Sequence, residues 1–359
     1  MEGDSRSFRR HYIIGEIMVS RIKLAHGGGG RETSEIIENV IKPRFKLRKI
    51  FGGVGLEELD DGASIPITEK LYGRHLVVTS DSYTVYPIFF PGGDIGKLAA
   101  CGSINDLAVM GAKPIAILDT IVVEEGFPIK DFTRILDSFK QVLEKENIAL
   151  LGGDFKVMPS GKLDGIVIST MGIGIADKIV TDRGLKVGDK ILINGGIGEH
   201  GAAIMAAQAG LDVESSGLKS DVQPLTRVMQ VALENGNVHA AKDLTRGGLA
   251  SALNEFAAKN NVSIYIYEDK VPIKEEVLAY SEMLGVDPLV LACEGRVIIA
   301  TPPEDAEKIV DAWRSMGFEQ AEIIGEVTLE RPGYVLFETL AGGIRIIEKP
   351  TGEIVPRIC

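Results

Sequence analysis

Two domains of mixed α and β structure, an α+β fold, are what this sequence predicts, on three observations. The chain has 359 residues, 45% of them hydrophobic, enough to build two cores. Short apolar runs such as HLVVTSD, PIAILDTIVV and DGIVISTMGIGIA read as strands and alternate irregularly with helical patterns. A polar, turn-rich stretch, ADKIVTDRGLKVGDK, separates the halves near residue 180.

Taken in order, residues 1–22 read as a leader that is expected to be disordered, because MEGDSRSFRRHYIIGEI is polar and patternless. The first domain runs over 23–180. A strand-like VSRIKLAHG straddles its start; the chain then passes through the glycine run Gly27–Gly30 into the helical ETSEIIENVI, and later contains the amphipathic DFTRILDSFKQVLEKEN. There Phe132, Ile135, Leu136, Phe139 and Leu143 fall at helical spacing. The second domain, 181–345, repeats the mixed grammar: KILINGG as a strand, then EHGAAIMAAQAG, PLTRVMQVALEN and TRGGLASALNEFAAKN as helices. LVLAC, before Glu294, reads as a buried strand. Residues 346–359 form a tail in which Pro350, Gly352 and Pro356 discourage regular structure, so a mobile terminus is expected.

Composition excludes several functions. A net charge of −12 with only 6% aromatic residues repels a phosphodiester backbone and offers no stacking platform, so nucleic acid is not a partner. Three widely spaced cysteines form neither a disulfide framework nor a metal knuckle and fit a reducing cytoplasm. No stretch reaches the roughly 18 uninterrupted apolar residues of a membrane span.

Three glycine motifs compete for a phosphate-binding role. His26–Gly30 could cradle an anion or be a flexible turn. Gly196–Gly201 matches GxGxxG between a strand and a helix, but a plain strand-to-helix turn explains it equally well without regular βαβ alternation. Gly92–Lys97 resembles a P-loop yet has Pro91 in place of the first glycine and Leu98 where a hydroxyl must reach magnesium, so it is rejected. Aspartates beside small residues, at Asp61, Asp81, Asp106, Asp154 and Asp243, are each ordinary cap or turn residues; brought together they would suit Mg²⁺ and the phosphates it carries. The histidines, His26 and His200 among them, read as structural. Glu294 in LVLACEGRVIIA needs a partner if buried. Cys359, last in the chain, can swing into a pocket as a nucleophile or thioester carrier, and its position excludes a prenylation box.

The phrases DDGA, FFPGGDIGKLAACGSINDLAVMGAKP, GGDFKVM, GGIGEHG, DLTRGGL, ACEGR and the terminal PRIC together resemble the HypE family of carbamoyl dehydratases in hydrogenase maturation. That family lies within the aminoimidazole ribonucleotide synthetase-like superfamily. The resemblance runs from about Lys23 to Cys359; Phe155 stands where the family has threonine. It implies a two-domain α+β architecture, a homodimer formed through an ATP-binding first domain, and ATP with Mg²⁺ beside the dimer interface. It further implies Gly28, Gly29 and Asp154 as nucleotide contacts, with Asp61, Asp81, Asp106 and Asp243 on metal and phosphates. By the same resemblance Lys156 and Glu294 would be the pair assisting deprotonation, and Cys359 the carrier. A carbamoyltransferase, HypF, would load the thiol, ATP would drive dehydration to a thiocyanate, and a HypC–HypD complex would take the cyanide. Two alternatives stay open. One is a superfamily member making a phosphorylated small molecule, although no cysteine precedes Cys101 for selenophosphate synthesis. The other is a non-catalytic carrier.

Overall fold

The computed structural model describes residues 21–23, 36–51, 56–57, 74–211, 213, 216–350, 355 and 357–359. Gly28, Gly29 and Asp61, and all but the end of the expected leader, lie outside the described residues. Arg21 and Ile22, assigned to that leader, belong to the fold. Ile22 is fully buried, and its backbone exchanges hydrogen bonds with Phe127 and Gly126. Its apolar side chain is what a disordered segment cannot afford to hide.

The first half is a four-stranded sheet in the order β1 (His75–Tyr83), β6 (Ile166–Ala176), β4 (Lys113–Glu124), β5 (Ala149–Met158), with a small hairpin β2 (Phe89–Phe90) and β3 (Gly93–Asp94). Helices α1 (Ile95–Val109) and α2 (Ile129–Glu146) cover one face. Asp94 caps α1 by accepting the N–H of Lys97 at 3.0 Å, and Lys97 Nζ bonds Gly92 O at 2.9 Å. The P-loop look-alike is therefore a capped helix start. α1 is buried nearly all round, as its mostly small and apolar residues dictate, whereas α2 buries one stripe, Ile129, Phe132, Ile135, Leu136, Phe139, Val142 and Leu143.

The sheet's other face is open. Along β1 the burial alternates, with Val77 and Tyr83 inward and Leu76 and Val78 outward at 57% and 61% exposure. Register carries this parity across the sheet: Asp81 aligns with Thr170, Asp119 and Gly153, and Ser82 aligns with Ser169, Thr120 and Asp154.

The second half is a seven-stranded sheet in the order β13 (Ile344–Ile347), β12 (Val335–Glu338), β9 (Ser263–Tyr267), β11 (Glu322–Thr328), β7 (Lys190–Ile193), β10 (Val297–Thr301), β8 (Ala240–Asp243). Helices α4 (Thr226–Asn235) and α7 (Pro303–Ser315) pack through Val228, Met229, Ile309 and Trp313 on one face, and α5 (Gly248–Asn260) through Leu249, Leu253 and Phe256 on the other. Strand β10, VIIAT, is buried at every position because both faces are covered.

The halves do not keep separate cores. Ala202 and Ile204 of α3 (Glu199–Gln208) and Val277 and Tyr280 of α6 (Glu275–Leu284) join the core of the first half. LVLAC is not a strand either. Asp287 caps a 3-10 turn at Pro288–Val290, and the chain then bends at Leu291 and again at Glu294 and Gly295 before β10 begins at Val297. The strand-like run at the start leaves only an isolated bridge from Arg21 to Pro128 among the described residues.

Candidate active site

The two sheets present a cleft between the edge strand β1, α1, the end of β8 and the loop before β10. Thr79 Oγ1 of β1 donates to Asp106 of α1 at 2.6 Å. Asp81 lies on the same face two residues on. Asp243 ends β8 opposite Val297. Glu294 approaches from the second half, 2% exposed, with its Oε1 buried and unpartnered.

Burial and mutual repulsion set the protonation of this group. Desolvation, reinforced by Asp243, Asp221, Asp81 and Asp106, pushes Glu294 well above the usual carboxylate range. Desolvation and the neighbouring Asp106 push Asp243 up to about 7. Asp106 is raised by burial, against the Thr79 hydrogen bond. A set of carboxylates that suppress one another's ionisation suits a hard cation. Among the described residues no three acidic, cysteine or histidine side chains converge on one metal position.

Cys359 enters the same cleft. Its carbonyl accepts from Thr84 N at 3.0 Å and Thr84 Oγ1 at 3.1 Å, and the carbonyl of Arg357 accepts from Tyr86 N at 3.0 Å. The pairing of 84 with 359 and 86 with 357 runs antiparallel, so the tail adds to the chain just beyond β1. Arg357 Nε returns a bond to Thr84 O at 2.8 Å, and its guanidinium pairs with Asp164 and lies 5.3 Å over the Tyr86 ring. Val355 and Ile358 are buried. The end of the tail expected to be mobile, residues 357–359, is seated here by main-chain bonds and by the burial of Ile358. Burial pushes the Cys359 thiol up to about 12, so the docked sulfur is a protonated thiol. A cavity of about 570 Å³ beside it is lined by Ser82, Arg246, Gly247, Ser251 and Ala292.

Two expected members stand apart. Lys156 Nζ bonds Asp154 Oδ1 at 2.8 Å on the open face of the first sheet, both side chains exposed. Asp154 shares a register row with Ser82, three strands from β1, roughly 14 Å, and faces oppositely to Asp81. Within this chain Lys156 and Glu294 are therefore not brought together.

Sequence reasoning missed Asp221 and Asn105. Both oxygens of Asp221 accept backbone N–H groups, from Glu294 and Gly295, at 3.1 Å each. Asn105, buried on α1, donates to Glu294 O at 3.0 Å and accepts from Leu225 N at 2.8 Å. Asp221 has no motif around it, and Asn105, though inside a family motif, points to no partner by itself; only the closure of the fold gives each its role.

This fold and cleft are those of the AIR synthase related proteins. The N-terminal domain of that family matches residues 59–176 and its C-terminal domain residues 186–337. Within it, the chain belongs to the HypE carbamoyl dehydratase family. It is 46% identical over 94% of its length to the whole of a Methanocaldococcus jannaschii protein named for hydrogenase expression and formation. It is 38% identical, over 94% of this chain and 98% of the relative, to carbamoyl dehydratase HypE of Rhodobacter capsulatus. A crystal structure of HypE in complex with ATP superposes with a TM-score of 0.86 at 36% identity, covering 94% of this chain and 99% of that one. HypE in a HypE–HypF complex superposes at 0.74 and 36%, covering 89% and 100%. Among the described residues no helix is long and apolar enough to cross a membrane.

Proposed function

We propose that this protein uses ATP to dehydrate a carbamoyl group carried on Cys359, converting –S–C(=O)–NH₂ to –S–C≡N. The observation that carries the reading is the seating of Cys359 in the cleft, where its main-chain oxygen accepts from Thr84 N at 3.0 Å and the residue lines the cavity with Ser82, Arg246 and Ala292.

The carbamoyl oxygen is a poor leaving group. Its attack on the γ-phosphorus releases ADP and leaves an O-phosphorylated carbon; loss of the nitrogen protons then expels inorganic phosphate and forms the nitrile. Asp81, Asp106 and Asp243, with Asp61, are the residues that would hold Mg²⁺. A cation there supplies the positive charge that neutralises the transferring phosphoryl and weakens the hold of these carboxylates on their protons. Glu294 is the group to accept a nitrogen proton: it is buried, unpartnered, and held by its own backbone through Asp221 and Asn105. Its protonated state in the free chain means that it is primed only once the cleft is filled. Exclusion of water by the buried tail protects the phosphorylated intermediate from hydrolysis.

The open sheet face, with Leu76, Val78, Met158 and Met171 exposed, supports a homodimer, with Gly28, Gly29 and Asp154 among the nucleotide contacts. On this reading Lys156 serves the reaction through that face and a second copy, not along its own chain. A HypF carbamoyltransferase supplies the carbamoyl group and a HypC–HypD complex takes the cyanide, in the cytoplasm where thiols stay reduced. The test is mass spectrometry of the S-carbamoylated chain. On adding ATP and Mg²⁺ the terminal peptide should lose the mass of one water, and a Cys359→Ala chain should bind ATP yet give no such product. Nitrile formation without Cys359 would overturn the reading.

A further inference from the structure

The motif Gly196–Gly201 has no part in the site described so far. Its glycines serve close packing: a Cβ on Gly201 would lie 2.9 Å from Ala292 N and 2.9 Å from Leu291 Cβ. The start of α3 is thereby pressed against the segment that leads to Glu294. That approach delivers His200, which is fully buried.

His200 Nε2 lies 2.9 Å from the carbonyl oxygen of Ile358, and Nδ1 lies 2.7 Å from Ser220 Oγ. A carbonyl can only accept, so Nε2 carries the hydrogen. Ser220 Oγ already accepts the N–H of Val222 at 3.1 Å, which leaves its own hydrogen for Nδ1. The ring is thus the neutral Nε2–H tautomer. Burial lowers its proton affinity in the same sense. The Phe90 ring stands edge-on to it at 5.5 Å and 88°.

The carbonyl of Arg357 and the main-chain oxygen of Cys359 face Tyr86 and Thr84, whereas the carbonyl of Ile358 faces His200 on the other side. Without His200 it would be a buried acceptor with nothing to accept from.

We propose that His200 is a positioning residue that latches the C-terminal segment in the cleft and so sets where the Cys359 sulfur stands. Its use in catalysis rests on the dehydratase reading, but the latch is a property of the free chain. Thr84 and Tyr86 fix the direction of the tail from one side; His200 pins the peptide group next to the cysteine from the other.

The test is alkylation of the full-length chain by iodoacetamide, followed by peptide mass. Cys101 and Cys293 are fully buried and serve as internal controls. In His200→Asn the amide still reaches Ser220 but falls short of Ile358, and Cys359 should react about tenfold faster, the loss of one hydrogen bond. In His200→Gln the amide nitrogen takes the place of Nε2, and the rate should return towards that of the parent. Ser220→Ala, which frees the tautomer, should also speed the reaction and decides the matter if the Asn variant does not fold. Parent-like alkylation of the Asn and Ser220→Ala variants, or a Gln variant as fast as Asn, overturns the proposal. The assay needs neither ATP nor a carbamoyl group, so its failure leaves the dehydratase reading standing, and failed dehydration with an intact latch counts against that reading alone.

Discussion

Asp221 holds Glu294 by its backbone and opposes it by charge. Its carboxylate accepts the N–H groups of Glu294 and Gly295 at 3.1 Å each, while its negative charge helps keep the Glu294 side chain protonated. Asp221→Ala should therefore leave two backbone donors unpaired and lower stability by about 2–4 kcal/mol, read from urea denaturation. An unchanged midpoint would show that water replaces the carboxylate.

Glu294→Gln separates chemistry from folding. The free chain already holds a neutral side chain here, so the amide should leave the melting temperature unchanged or raise it. Dehydration should fall by roughly 10²–10⁴-fold, the usual contribution of a general base. Retained turnover would assign the proton transfer elsewhere.

Asp119 is buried in the first sheet with Oδ2 unpartnered, and burial pushes it up to about 7. A raised acid binds its proton more tightly folded than unfolded, so its contribution to stability falls as pH rises from about 4 to about 7. Asp119→Asn should be more stable than the parent by about 1–3 kcal/mol above pH 7, with the gap closing towards pH 4. A gap that does not change with pH would count against this assignment.

Gly201→Ala probes the close approach of α3. The added carbon meets a backbone nitrogen at 2.9 Å, which cannot rotate away, so the helix must shift. The expected cost is about 1–3 kcal/mol, and the shift should slow dehydration more than it weakens ATP binding, as titration calorimetry and turnover would read. Equal losses in both would point to general unfolding.

Strands β1, β4 and β6 and helix α2 were legible because their periods are long and undisturbed, and each fills its face of a core. The site was legible only where a motif names its residues. GGDFKV announces Asp154 and Lys156, and the buried Phe155 between them already implies that both flanking side chains point outward. Which face of the sheet meets Glu294 is a matter of topology that no local pattern carries. His200 and Asp221 were invisible for the same reason: their partners lie 158 and 73 residues away. LVLAC misled because an apolar run in the interior need not be a strand when Asp287 and Pro288 turn the chain before it.

Strand β1 lies at the border of its sheet, and the backbone just beyond it is satisfied only while the terminus lies alongside. On the proposed function the terminus must leave to be loaded, and the amides of Thr84 and Tyr86 then face water as a bare template for any extended segment. The departed form is then the one open to strand exchange between molecules, so self-association should track how long each copy spends waiting to be loaded.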